Sequence, residues 1–468
     1  MVIINTSLFM KLISTNPSQG YKSIGEIDIS SEAEIGEKVQ KAKIAGIAWK
    51  NLSVEKRAEY FRNLIQVYKR RANEVAKLQS TEMGKPISES LGDVEGDLAY
   101  LEDKITSAIK YLQPQVVDTT ETQKNVVYFE PYGVAAVISP WNFPSGNFFI
   151  SCTQLLLAGN TIVFKHSEEC PLTGKLLADI MNEAGFPEGV FSEVYGDGKV
   201  GDLLTSQDVD IIHFTGSTKI GQYLYKKAAD KFIPAILEMG GSSPGVIFDN
   251  TNLIESCQHA CDERFLDCGQ VCCALKRLIV HESIFDEVVN TMKKIVSNLK
   301  VENPLEENTD IGPLVAKRQL DLISEQVEDA KEKGATVEVG GSVFEGLNGA
   351  YYRPTILTNV TMKMRVMTEE VFGPVLPIIS FSSEEEAIKI ANDTQYGLSA
   401  FLYGKDVDQL KRVALQIDAG QISINGASYF SPNSPFGGYK KSGIGRNDGM
   451  FGLYEVTQKK VVAEPIKK

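Results

Sequence analysis

The chain reads as an α/β protein made of two doubly wound parallel-sheet domains in sequence. Three observations predict this. From residue 134 onward, short β-branched runs alternate with helical stretches, the pattern of parallel strands joined by crossover helices. The alternation is punctuated by Gly240-Gly241 and then resumes, so there are two series. At 468 residues the chain is too long for one simple core, and two or three domains are expected.

Residues 1–9 precede a second methionine, Met10, and read as a loose extension or an upstream start. They lack the basic opening of a secretory signal. Residues 32–116 read as helical. Between Val54 and Ala76 the apolar residues Val54, Ala58, Phe61, Leu64, Ile65, Tyr68, Ala72 and Val75 share one helix face. Ser53 is the N-cap candidate, and Gly84-Lys85-Pro86 stops the helix. Lys41, Lys43, Lys56, Arg57, Arg62, Lys69, Arg70 and Arg71 read as a solvated face rather than a binding patch.

The first series holds strands at 134–139, 161–165, 191–195, 211–214 and 233–238, with helices at 172–184 and 218–230. The second holds strands at 245–248, 277–280, 336–339, 375–380, 398–403 and 421–424. Helices at 253–266, 283–299, 317–333, 384–392 and 407–417 separate them. No fixed-period repeat or low-complexity linker interrupts the order. In such sheets a ligand binds in the crevice at the carboxyl ends of strands.

Composition narrows the function. A formal charge of −13 with no basic block disfavours nucleic acid. Nothing approaches the roughly 18 apolar residues of a membrane span. Seven cysteines, an odd number without a regular framework, fit a reducing cytoplasm.

Several stretches carry possible chemistry, each with a plainer alternative. Gly269-Gln270-Val271-Cys272-Cys273 places thiols after a flexible step. A thiol there suits attack on an electrophile, although free cysteines usually just pack. Asn142, in Pro140-Trp141-Asn142-Phe143-Pro144, is either an oxyanion donor or a turn residue. Glu238 ends an apolar strand before the double glycine. Desolvation there raises its pKa and suits it to general-base work; a salt-bridged strand end is the alternative. Gly216-Ser217-Thr218 opens a helix after a strand, an anion site or an ordinary cap. Gly196-Asp197-Gly198-Lys199-Val200-Gly201 matches a dinucleotide fingerprint but lacks its acidic partner. Cys257, His259, Cys261, Cys268 and Cys272 lack paired metal-ligand spacing, so a buried helix face is preferred to a metal site. A Ser-His-Asp hydrolase lacks its G-x-S-x-G elbow.

Taken in order, Pro140–Pro144, Gly216–Gly221, Leu237-Glu238-Met239-Gly240-Gly241, Gly269–Cys272, Glu369–Pro374 and Pro435–Gly443 closely resemble the aldehyde dehydrogenase superfamily. The resemblance runs from about Thr15 almost to the end. It implies that Cys272, two residues after the Gln, attacks an aldehyde. Asn142 and the Cys272 N–H then steady the oxyanion, hydride passes to a nicotinamide, and Glu238 activates water against the thioester. It assigns the cofactor to Trp141, Lys165, Glu168, Gly216, Ser217, Gly221, Glu370 and Phe372. It implies a dinucleotide-binding domain at 10–116 and 131–239 and a catalytic domain at 240–442. A β-flap and tail at 117–130 and 443–468 would pair with another subunit in a homodimer or homotetramer.

The wording around Phe164-Lys165-His166 is similar to short succinate-semialdehyde dehydrogenases. Those enzymes carry an Arg where this chain has Ile150, and a Ser where it has Val271. With Phe430 and Phe436 nearby, the pocket reads as suited to an aliphatic or aromatic aldehyde. Succinate semialdehyde is the alternative. Glu168, where NADP-using relatives carry a small hydroxyl residue, points to NAD with NADP as the alternative cofactor. Two rivals remain: a catalytically silent scaffold of the same fold, which would need none of these side chains, and an esterase using Cys272 without a nicotinamide.

Overall fold

Residues 11–466 are described by a computed structural model; the expectation for residues 1–9 lies outside them. A hairpin of Lys11–Asn16 and Lys22–Asp28 comes first. Its polar strands carry too little apolar alternation to be read from sequence. Helices Glu32–Trp49, Val54–Met83 and Ile87–Tyr111 come next. Ser53 caps the second by accepting from the Lys56 N–H, and left-handed Gly84 ends it. Arg57 departs from the expected solvated face. It is 7% exposed, and its Nε donates to the Leu157 carbonyl at 2.8 Å. The guanidinium satisfies backbone groups that the adjoining loop leaves unpaired.

The first sheet has six strands. Val134–Ile138 and Ile211–Thr215 lie side by side at its middle. Thr161–Lys165 and Phe191–Val194 extend one side, and Ala235–Glu238 the other, all parallel. Gly443–Ile444 closes the far edge antiparallel to Ala235–Glu238. The strand order therefore reverses between 134–138 and 211–215, which opens a crevice at their carboxyl ends. Helices cover both faces. Val54–Met83, Pro144–Leu157 and Pro171–Glu183 pack on one; Glu32–Trp49, Gly198–Ser206 and Thr218–Lys231 pack on the other. Helix Pro144–Leu157 is not legible in the sequence, because it is buried nearly all round, polar Ser151, Thr153 and Gln154 included, with no solvent face to print a period. The fingerprint at 196–201 forms a helix start capped by Asp197.

The second sheet has seven strands. Their order is Thr336–Val339, Thr355–Thr358, Val375–Phe381, Leu275–His281, Ser243–Ile247, Ser399–Tyr403 and Gln421–Ile424. All neighbours are parallel except the first pair. Helices Leu253–Phe265, Phe285–Ser297 and Lys317–Glu332 cover one face, while Glu384–Asn392 and Val407–Ala414 cover the other. Cys257 and Cys261 sit in the first of these interfaces, 0% and 1% exposed. Both sheets are thus doubly wound, as the alternation predicts.

A third sheet joins Gln115–Thr119, Gln123–Pro131 and Thr457–Pro465, antiparallel. Its two long strands complete one another across nine register pairs from Thr457↔Pro131 to Pro465↔Gln123. Residues 443–455, expected with this flap and tail, hold two elements set against the first sheet and its helices. Gly443–Ile444 pairs with Leu237 and Glu238, and helix Gly449–Glu455 packs on Ile87–Tyr111. Among the described residues no helix is long and apolar enough to cross a membrane.

Candidate active site

The two α/β domains meet over a cavity of about 280 Å³. The first domain lines it from the carboxyl ends of its strands: Trp141 and Asn142 after 134–138, Gly216 and Ser217 after 211–215, and Glu238 at the end of 235–238. The second lines it from the amino-terminal side of its strands: Cys272 before 275–281 and Glu370 before 375–381. The cavity therefore lies at the carboxyl ends of the first sheet's strands, as expected of a ligand crevice, but at the amino-terminal ends of the second sheet's. Loops entering that second sheet bring Cys272 and Glu370.

The path to Cys272 is tight. Helix Leu253–Phe265 ends in a turn, Leu266–Gly269, in which Asp267 and Cys268 are left-handed at φ 50° and 54°. Such backbone costs about 1 kcal/mol or more per non-glycine residue. The surroundings over-determine it. The Asp267 N–H donates to Glu89 at 2.9 Å, the Gln270 side-chain amide donates to the Asp267 carbonyl at 3.2 Å, and the Val315 N–H donates to Gln270 Oε1 at 3.0 Å. The turn delivers Cys272, partly exposed, to the cavity, whereas Cys273 is buried in an apolar cluster. A hydrogen bond from the Cys273 thiol holds the Cys272 thiol below its ordinary value, opposed by burial and assisted by Lys276. That same bond, with burial, pushes Cys273 well up. The two thiols are thereby separated, with Cys272 the more readily ionised.

Asn142 is 4% exposed. Its side-chain amide donates to the Gln270 carbonyl at 2.8 Å. One amide hydrogen thus anchors the group beside the nucleophile loop and leaves the other for an oxyanion. Glu238 is also 4% exposed, and neither carboxylate oxygen has a partner among the described residues. Burial raises its pKa well above the carboxylate range; negative charge on Cys272 adds to the rise and Arg446 opposes it. An unpaired buried carboxyl is costly and is a mark of a catalytic group.

The cofactor candidates divide. Trp141, Gly216, Ser217, Glu370 and Phe372 line the cavity. Trp141 meets Phe372 edge-on at 5.5 Å, and Ser217 caps helix Thr218–Lys231. Gly221 does not line it. A Cβ there would lie 2.1 Å from Met239 Sδ, so its role is close packing under a residue that does. Lys165 and Glu168 also lie away from this cavity. Lys165 is 3% exposed and stands 3.5 Å from Glu168; burial lowers its pKa, against the pull of Glu168.

The comparisons with known proteins agree with this geometry. Residues 5–462 match the Aldehyde dehydrogenase family. The chain belongs to the aldehyde dehydrogenase family. It is 37% identical over 456 residues to the peroxisomal aminoaldehyde dehydrogenase 2 of Pisum sativum, covering 95% of this chain and 91% of that one. It is 34% identical over 453 residues to the mitochondrial succinate-semialdehyde dehydrogenase of Rattus norvegicus, covering 96% and 86%. A betaine aldehyde dehydrogenase from Staphylococcus aureus, solved in complex with NAD+, superposes with TM-score 0.93 at 30% identity, covering 97% of this chain and 91% of that one.

On the substrate side of this aldehyde dehydrogenase, Ile150 and Phe436 line the cavity with Phe143, Asn147 and Leu322. Val271 does not. It packs in the cluster with Cys273, Ala274 and Leu398, in a turn closed by the Ala274 N–H donating to the Val271 carbonyl at 3.3 Å. Phe430 is 61% exposed and stacks on Phe436 at 5.7 Å. Lining residues that sequence reasoning misses are Gln319 and Leu322, one turn apart on helix Lys317–Glu332, and Asn447. Asn447 accepts from the Gln154 amide at 2.6 Å and lies 2.8 Å from His213 Nε2. Lys276 is missed as well. No local signal marks these residues, since a lone Gln, Asn or Lys in a regular element looks structural.

Proposed function

We propose that this protein oxidises an aldehyde to a carboxylic acid through a thioester on Cys272, with NAD as the preferred cofactor. The observation that carries the reading is the convergence on one cavity of a thiol with lowered pKa, a tethered carboxamide and an unpaired buried carboxyl. The residues present fit a dinucleotide. Gly216 and Ser217 open a helix toward the cavity, a natural seat for phosphate. Glu370 Oε1 is held by the Gly241 N–H at 3.1 Å, and Gly240 makes room for its other oxygen, which a Cβ there would approach to 2.2 Å. That free oxygen suits a ribose hydroxyl. When bound, the nicotinamide supplies the hydride acceptor.

The remaining chemistry belongs to the chain. The Cys272 thiolate attacks the carbonyl carbon, and the free amide hydrogen of Asn142 donates to the resulting oxyanion. Once the sulfur is acylated its negative charge is gone, which removes one of the three causes that raise Glu238, leaving burial and the Asp448 charge. Glu238 then ionises more readily and takes a proton from the attacking water. The two halves of the reaction are coupled through that charge.

The substrate read from the cavity is an aliphatic or aromatic aldehyde. Its wall holds Phe143, Ile150, Leu322 and Phe436 and, among the described residues, no Lys or Arg, so a distal carboxylate lacks a cationic anchor there. Exposed Val116, Val117 and Val461 on the third sheet support a homodimer or homotetramer. Seven unpaired cysteines support a cytoplasmic location. A panel of aldehydes with NAD and NADP, monitored by absorbance of the reduced nicotinamide, tests the reading. Turnover of esters without any oxidation would sink it, and a strong preference for succinate semialdehyde would overturn the substrate class.

A further inference from the structure

Lys276 lies on strand Leu275–His281, four residues beyond Cys272 and 1% exposed. Its Nζ reaches three oxygens: Glu370 Oε1 at 2.8 Å, the Gly241 carbonyl at 3.0 Å and the Cys272 carbonyl at 3.1 Å. An ammonium has three donors and no acceptor, so three surrounding acceptors match the charged form and would oppose a neutral amine's lone pair. The ammonium also stands 5.0 Å from the centre of the Phe372 ring, a further preference for a cation. Its three oxygens come from three segments: the double glycine after Glu238, the nucleophile loop and the Glu370 loop. Glu370 is in turn fixed through the same oxygen by the Gly241 N–H at 3.1 Å.

We infer that Lys276 is a positioning residue of this site: its buried ammonium clamps the Glu370 carboxylate to the nucleophile loop, and the two opposite charges together set how readily Cys272 becomes a thiolate. The inference rests on the reading of Cys272 as the nucleophile and deepens it. The groups that face Cys272 are Cys273, Lys276, Glu370 and, across the cavity, Glu238. Cys273 acts by a hydrogen bond, whereas Lys276 favours the thiolate by charge and Glu370 disfavours it. Burial lowers the pKa of Lys276 and nearby Arg264 adds to the fall, while Glu370 and Cys272 oppose it; the three acceptor oxygens are what hold the proton on the amine. From the sulfur, the Lys276–Glu370 pair is nearly neutral, with the cation ahead. Removing one member or the other must therefore move the thiol in opposite directions, a result that loss of packing alone would not produce.

The test is the pH profile of Cys272 alkylation by iodoacetamide in the cofactor-free protein, with the modified residue located by peptide mapping. Lys276→Met leaves Glu370 uncompensated and is expected to slow alkylation at pH 7 about tenfold, the effect of one pKa unit. Glu370→Gln unmasks Lys276 and is expected to speed it severalfold, roughly half a unit. The double variant returns toward wild type, which keeps the inference testable if Lys276→Met alone folds poorly. Equal rates in all three variants, or shifts of the same sign in both single variants, would overturn it. Alkylation mapped to a residue other than Cys272, and unchanged in Cys272→Ala, would instead defeat the nucleophile reading on which it stands.

Discussion

Replacing Glu238 by glutamine separates the two halves of the reaction. The substitution keeps side-chain volume and removes a carboxyl whose oxygens have no partner among the described residues, so no hydrogen bond of the fold is lost. Its pKa in the folded protein is raised, so between the unfolded and folded values the native state binds more protons than the unfolded one. Stability contributed by this group accordingly falls as pH rises through that window. Glu238→Gln lacks the penalty, and its Tm at pH 7–8 should equal or exceed that of wild type. The chemistry should suffer instead. A general base contributes typically 10²–10⁴ in rate, about 3–5 kcal/mol of barrier, and here that loss falls on thioester hydrolysis. Attack by Cys272 should be spared, because removing a nearby negative charge favours its thiolate. In stopped flow the variant should release close to one equivalent of reduced nicotinamide per site and then turn over slowly. The wild-type steady-state rate should rise with pH as Glu238 loses its proton, with a midpoint above the ordinary carboxylate range; the variant should lack that limb. A linear time course at the wild-type rate would refute the assignment.

The same geometry makes further expectations concrete. Cys272→Ala should abolish oxidation while leaving NAD binding by fluorescence titration near normal. Cys273→Ala should stay active but need higher pH, because it removes the hydrogen bond that holds the Cys272 thiol down; an inactive Cys273→Ala beside an active Cys272→Ala would reverse the roles. Ile150→Arg places a guanidinium in the apolar wall and should improve kcat/KM for succinate semialdehyde about tenfold or more, the worth of a charge-assisted hydrogen bond. If wild type already prefers that substrate, a cation outside the wall does the anchoring. Glu168 opposes a 2′-phosphate, with Lys165 at 3.5 Å offsetting part of its charge. The wild-type ratio of efficiencies should therefore favour NAD, and Glu168→Ser should shift it toward NADP about tenfold; a wild type favouring NADP would contradict the argument.

Much of this protein is determined by sequence alone, for local reasons. Strands such as Thr161–Lys165 and Gln421–Ile424 stand where β-branched runs place them, because a parallel strand buried on both faces must be apolar throughout. Ser53 caps its helix, and Cys272, Glu238 and Asn142, each legible in a local motif, line one cavity. Tertiary structure alone decides what depends on two distant segments. Arg57 belongs to a run of surface cations until the Leu157 carbonyl needs a donor. Val271 and Cys272 are neighbours in the chain, yet one faces an apolar cluster and the other the cavity. The flap strands, 327 residues apart at Pro131 and Gln458, pair along their whole length only once the chain is folded. Lys276 shows the limit most clearly. Nothing in its neighbours predicts a buried ammonium, because two of the three oxygens that stabilise its charge come from loops 35 and 94 residues away in sequence, and only folding assembles them around one atom.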